Sequence, residues 1–166
     1  ASLAPSVVAG AYLEHAKDRR GLLFAPTVSS AAMMADALTG AGITAELVHG
    51  AMAGNERRAV LRRFETGATQ VLSNCMVLTE GFDSPSASAC VIARPTRSAP
   101  LYVQMAGRVL RPYPGKEHAL VLDVVGATAK HSLASLATLA GAAGASFSLG
   151  QRGRCALGPA GRRGGG

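Results

Sequence analysis

The sequence offers little that would suit an extracellular or membrane protein. Its 166 residues contain no apolar run of the length needed to cross a bilayer, and its start lacks the basic stretch and long apolar core of a signal peptide. A cytoplasmic location with no membrane partner is therefore expected. The three cysteines, Cys75, Cys90 and Cys155, are odd in number and widely spaced, with no CxxC pair and no histidine at zinc spacing. Cys75 and Cys90 read as small core residues, and neither a metal site nor a disulfide is expected. Acidic residues are also scarce, 10 against 17 Lys and Arg, for a net charge of +7. Four of those seven charges, from Arg152, Arg154, Arg162 and Arg163, lie in a tail without acids, so the bulk charge establishes no nucleic-acid partner by itself.

What is present is enough for one core, since 48% of the residues are hydrophobic. Short β-rich runs alternate with longer stretches of helical period, the pattern of a parallel sheet covered by helices on both faces. The expected strands are Gly21 to Ala25, Ala45 to His49, Thr69 to Ser73, Ala87 to Ala93 and Ala119 to Val124. Between the first two, Ala31, Met34, Ala35 and Leu38 recur at helical spacing and stop at Gly40-Ala41-Gly42. The next helix starts near Gly54 and turns Val60, Leu61 and Phe64 inward, with Arg57, Arg58, Arg62 and Arg63 beside them as a solvated face. From about Gly141 the chain is Gly, Ala, Ser and Arg without periodicity. The expected organisation is one domain over 1–140 and a disordered tail over 141–166.

Two segments carry polar groups with a chemical purpose. Pro100 to Arg111 reads as a helix with Val103, Ala106 and Leu110 on one side, and Gln104, Arg108 and Arg111 on the other at i, i+4 and i+7. A guanidinium is permanently charged, and its planar fork fits phosphate oxygens, so a pair of them suits a leaving phosphoryl group; a salt-bridged basic face is the plainer alternative. The second segment, Ser73 to Pro85, follows directly on a strand. Ligands of open parallel sheets bind at such carboxyl ends, although a simple strand-to-helix turn would read the same way.

Gln104-Met105-Ala106-Gly107-Arg108-Val109-Leu110-Arg111-Pro112 resembles the QxxGRxxR motif of superfamily 2 helicases. Leu78-Thr79-Glu80-Gly81-Phe82-Asp83-Ser84-Pro85 is similar to the motif that precedes it, in the same order and spacing. The resemblance extends through Leu22 to Thr27 and Val48-His49-Gly50 and spans roughly Val7 to Leu139. The Thr79 to Asp83 wording and Arg94-Pro95-Thr96 resemble bacterial and phage DEAD/DEAH-type DNA repair helicases. The fold so implied is α/β, a RecA-like three-layer sandwich with a central, mostly parallel sheet. Arg108 and Arg111 would be arginine fingers on ATP, with Gln104 coupling nucleotide to domain closure. Gly81 and Asp83 would contact nucleotide or the interdomain face. Thr27, His49, Gly50, Ser73 and Asn74 would hold the backbone of one nucleic-acid strand, DNA rather than RNA, with Thr79 the alternative to Ser73.

The resemblance also defines what this stretch of chain lacks. It has no GxxxxGK[ST] loop to cradle phosphates and no acidic pair for metal and water, the nearest sequence being Gly115-Lys116-Glu117. ATP and Mg²⁺ would be held mainly by a first RecA-like domain, supplied in cis or in trans, and the chain alone is not expected to hydrolyse ATP. A non-catalytic nucleic-acid-binding module with the same fold is the alternative.

Overall fold

A computed structural model describes residues 3–75, 84–95, 98–109, 113–116, 119–125, 145–150 and 154–159. Helix α1 (Pro5–Ala16) was not foreseen from the sequence. It begins with a proline, whose missing N–H is harmless in the first turn, and it buries Val8, Ala9, Tyr12 and Ala16. Strand β1 (Gly21–Phe24), helix α2 (Val28–Gly40), strand β2 (Ala45–Val48), helix α3 (Gly54–Thr66) and strand β3 (Val71–Asn74) then alternate. Strand β4 (Ala89–Ile92), helix α4 (Ala99–Gly107) and strand β5 (Ala119–Asp123) complete the pattern.

The sheet order is β2-β3-β1-β4-β5, and all of these neighbours are parallel. Strands β1, β3 and β4 are buried along their whole length, as strands covered on both faces must be. Their side chains alternate between two cores. Leu22, Phe24, Leu72, Cys90 and Ile92 meet Val60 and Phe64 of α3 and Met105 and Ala106 of α4. Leu23, Val71, Ala89 and Val91 meet Val8 and Tyr12 of α1 and Ala31, Met34 and Leu38 of α2. The result is the RecA-like three-layer sandwich, with α1 and α2 on one face and α3 and α4 on the other.

The helical stripe of α2 lies as expected, with Ala31, Met34, Ala35 and Leu38 all buried. Helix α4 differs: its inner side is formed by Met105, Ala106 and Val109, while Val103 is partly exposed. Its regular turns also end at Gly107, after which the Arg108 and Val109 amides bond carbonyls only three residues back. Cys90 is fully buried, its thiol donating to the Met105 carbonyl at 3.5 Å, and burial pushes its pKa up. Cys75 is not a core residue; it is half-buried just past β3, with its thiol directed at the Pro26 carbonyl.

Where the composition from 141 onward suggested no regular structure, the structure contains β6 (Ala145–Gly150) and β7 (Arg154–Pro159). They pair antiparallel with each other, and β7 pairs antiparallel with β5. Ladder bonds use backbone groups that glycine- and alanine-rich chain still possesses, and the register sets Phe147 opposite Leu157 and Leu149 opposite Cys155. No described helix is long and apolar enough to cross a membrane.

Two local contacts lock this frame. Tyr12 crosses over Gly21 and donates its hydroxyl to the Arg19 carbonyl; a Cβ at Gly21 would lie 2.5 Å from the Tyr12 hydroxyl oxygen. Glu46 of β2 accepts a two-pronged bond from Arg63 of α3, Nε at 2.9 Å and Nη2 at 2.6 Å, and a further bond from the Thr69 hydroxyl. The paired guanidinium holds the Glu46 carboxyl below its ordinary value. Helix α3 ends directly after, where Gly67 takes a left-handed φ of 84°.

Gly21→Ala should destabilise the chain by about 1–3 kcal/mol through overpacking, and Tyr12→Phe in the same chain should recover part of that loss because the nearest clashing atom is the hydroxyl. Denaturant unfolding of the two single variants and the double variant measures the coupling, and simple additivity would refute the clash. Glu46→Gln should lower the melting temperature most near neutral pH. Because the folded carboxyl titrates below its unfolded value, the stabilisation is complete above that unfolded value and disappears as pH falls through the folded one. Solvent screening keeps the effect small. A difference in melting temperature that does not narrow in acid would show that the pair contributes nothing.

Candidate nucleic-acid and interdomain surfaces

The connection from β1 leaves across one face through α2, whereas the connection from its neighbour β4 leaves across the other through α4. Adjacent strands whose chains depart to opposite faces open a crevice at their carboxyl ends, the common ligand position of open α/β sheets. Phe24 is in register with both Asn74 and Ile92, and Val48 with Asn74. The loops that start at Ala25, His49, Cys75 and Ala93 therefore leave the sheet at one level.

Thr27 stands at this crevice as the N-cap of α2. Its hydroxyl accepts the Ser30 N–H at 3.0 Å, and the Ser30 hydroxyl in turn accepts the Thr27 N–H at 3.1 Å. This capping box fixes the helix start and directs its positive end toward the edge, where an anion is favoured. His49 is half-buried and Gly50 exposed immediately after β2, and the His49 carbonyl closes a turn with the Met52 amide. Arg94 is half-buried two residues after β4, the strand beside β1. Sequence reasoning did not put it forward as a contact, although a basic residue directly after a central strand was the available signal.

Ser73 and Asn74 do not present their side chains here. Both are fully buried: the Ser73 hydroxyl donates to the Ala31 carbonyl at 2.7 Å, and the Asn74 amide donates to the Leu23 carbonyl at 2.8 Å. One ties β3 to α2 and the other ties β3 to β1. In the sequence they look like polar residues at a strand end. The burial of β3 on both faces turns them inward, where such groups must find partners.

Gln104 and Arg108 are placed separately. Ser98 caps helix α4, its hydroxyl accepting the Leu101 N–H, and the helix returns along the sheet toward the amino end of β5. With Met105, Ala106 and Val109 buried, Gln104 is exposed and Arg108 partly exposed four residues on. Thr79, Gly81, Asp83 and Arg111 lie outside the described residues. Among the described residues, no three His, Cys, Asp or Glu side chains gather as a metal site would require.

Known proteins share this pattern. A putative mitochondrial ATP-dependent helicase irc3 of Schizosaccharomyces pombe is 40% identical over 132 residues, covering 79% of this chain and 22% of that protein. A putative ATP-dependent helicase IRC3 of Saccharomyces cerevisiae is 41% identical over 73 residues, covering 44% of this chain and 11% of that protein. The chain thus spans about a quarter or less of the length of the curated relatives it matches. Among solved structures, the C-terminal domain of the DEAD-box protein Dbp5 has the same fold, with a TM-score of 0.55 at 23% identity over 64% of this chain and 63% of that one. Residues 5–113, more than half of the length, match the helicase conserved C-terminal domain, and the chain belongs to that family.

Proposed function

We propose that this chain is the second motor domain of an ATP-dependent superfamily 2 DNA helicase or translocase. The observation that carries the reading is the placement of exposed Gln104 and half-buried Arg108 beside Met105, Ala106 and Val109, which are buried against the sheet. An exposed amide and a half-buried guanidinium four residues apart can engage a nucleotide bound to a second domain. Arg108, together with Arg111, supplies positive charge where charge develops on the departing γ-phosphoryl group. Gln104 couples that contact to closure, and Gly81 and Asp83 border the nucleotide.

The two relatives are named as ATP-dependent helicases, which supports ATP as the fuel. The resemblance to superfamily 2 helicases supports assigning Mg²⁺, with the phosphates, to a first RecA-like domain. The carboxyl edge serves the nucleic acid. Thr27 with the start of α2, His49, Gly50 and Arg94 line it, and they offer hydroxyl, amide and cationic groups that suit phosphates without reading bases. Ser73 and Asn74 act from below by fixing the level of that edge, and Thr79 takes the contact otherwise given to Ser73.

In a two-domain protein reconstituted with its P-loop domain, Arg108→Ala should lower ATP turnover by about 10³-fold or more. Arg108→Lys should restore little of it, because an ammonium lacks the planar fork. Wild-type turnover in either variant would remove the finger assignment. For single-stranded DNA, Arg94→Gln should weaken binding and reduce the slope of log K against log salt by about 0.7, the worth of one phosphate contact. Ser73→Ala should leave affinity unchanged and lower the melting temperature. The opposite outcome, with affinity lost at Ser73 and not at Arg94, would place the strand elsewhere.

A further inference from the structure

Lys116 belongs to the stretch of this sequence that comes nearest to a phosphate-binding lysine motif, yet the motor reading gives it no role. Its half-buried ammonium donates to two backbone carbonyls at once, Pro85 at 2.9 Å and Ala87 at 2.8 Å. Charge-assisted bonds of this kind are roughly twice as strong as neutral ones, and two from one ammonium fix a position rather than a single distance.

Tight turns stand on both sides of this clamp. The Lys116 amide closes onto the Tyr113 carbonyl at 2.9 Å, with Pro114 second and Gly115 third at a φ of 80°, the residues that a type II turn demands. On the other side, the Ala87 amide closes onto the Ser84 carbonyl at 3.0 Å. That second turn is rooted in the sheet. The Ser88 and Ala89 amides donate to the Arg20 carbonyl ahead of β1, at 2.9 and 3.1 Å, and the Ser88 carbonyl accepts the Leu120 amide of β5 at 2.7 Å. Lys116 thus joins a short, preset turn to a rigid base.

The joined turns flank the residues assigned to the nucleotide. Ser84, buried at the start of one turn, directly follows Asp83 in the chain. Tyr113, at the start of the other, ends the stretch that begins at Arg108. Val109 is fully buried in the same core as Ala87, and only Leu110, Arg111 and Pro112 separate it from Tyr113. The chain leaving Arg108 is therefore fastened twice to the few residues ahead of β4, by the packing of Val109 and by the hydrogen bonds of Lys116.

We infer that Lys116 is a positioning residue for the finger segment, holding the chain that leaves Arg108 against the turn that follows Asp83. On the motor reading above, on which this rests, the guanidiniums must be aimed before the nucleotide arrives. Freeing one end of a short segment opens conformations in which they stand an ångström or more from the phosphoryl oxygens, and a misplacement of that size costs up to about 10²-fold in rate. Binding of the nucleotide itself, held mainly by the other domain, is left as it was.

In the two-domain protein reconstituted with its P-loop domain, Lys116→Met keeps the apolar stem and removes the donors. Its kcat for ATP hydrolysis should fall by roughly tenfold to a hundredfold. KM for ATP and affinity for single-stranded DNA should stay within about twofold of the wild type. Affinity for ADP with orthovanadate, a mimic of the transferring phosphoryl group, should fall in step with kcat, and affinity for ADP alone should hold; a smaller folded fraction would move neither. Lys116→Arg, which can still donate to both carbonyls, should restore most of the turnover. Wild-type kcat in Lys116→Met, or equal losses of ADP and ADP–vanadate affinity, would overturn the role. Arg108→Ala tells this failure from that of the motor reading. If Arg108→Ala lowers kcat and Lys116→Met does not, only the positioning role falls, whereas wild-type turnover in Arg108→Ala removes both. If Lys116→Met fails to fold, Lys116→Gln, too short to span both carbonyls, takes its place with the same expected loss, and unchanged turnover there is equally decisive against the role.

Discussion

The structure depends on burying β1, β3 and β4 on both of their faces. A four-residue strand cannot be stable in water alone, and a parallel strand has neighbours only if chain crosses over a face to reach them. Each crossover brings a helix, and each helix covers apolar side chains that would otherwise meet water. Leu22 and Phe24 point to one core and Leu23 to the other, so the two helix layers are required by adjacent residues of one strand. The carboxyl-end crevice follows from the same constraint, since it opens where chains depart to opposite faces.

Much of this was legible in the sequence because it rests on period. All five parallel strands appear where short β-rich runs stand, within a residue or two, and the α2 stripe is recovered residue for residue. Helix α1 was missed because its exposed positions include Val7 and Leu13, so that its apolar face does not stand out from its surroundings. The inner side of α4 was legible only in part: Ala106 is buried as expected and is joined by Met105 and Val109, Val103 is partly exposed, and Leu110 lies outside the described residues. Strands β6 and β7 were missed because composition obscured a faint alternation.

Of the candidate site, the positions of the described residues at strand ends were more legible than the directions of their side chains. Thr27, His49 and Gly50 are where a strand-end argument puts them. The buried setting of Ser73 and Asn74 was not legible for a physical reason: a polar residue at a strand end is equally suited to reach outward or to satisfy a neighbouring carbonyl. Only the cover given by α2 and β1 decides between them. Arg94 was passed over because one arginine carries no pattern; it stands out only once β4 is known to pair with β1.

The shared register of β1, β3 and β4 has a mechanical corollary. Because Phe24 is level with both Asn74 and Ile92, and the Asn74 side chain adds a cross-tie to Leu23, no one of these strands can slide by a residue without breaking ladders on its flanks and exchanging its two cores. The loops rooted on them therefore travel together. A displacement of one such loop is thus passed to its neighbours through the ladders rather than absorbed between the strands.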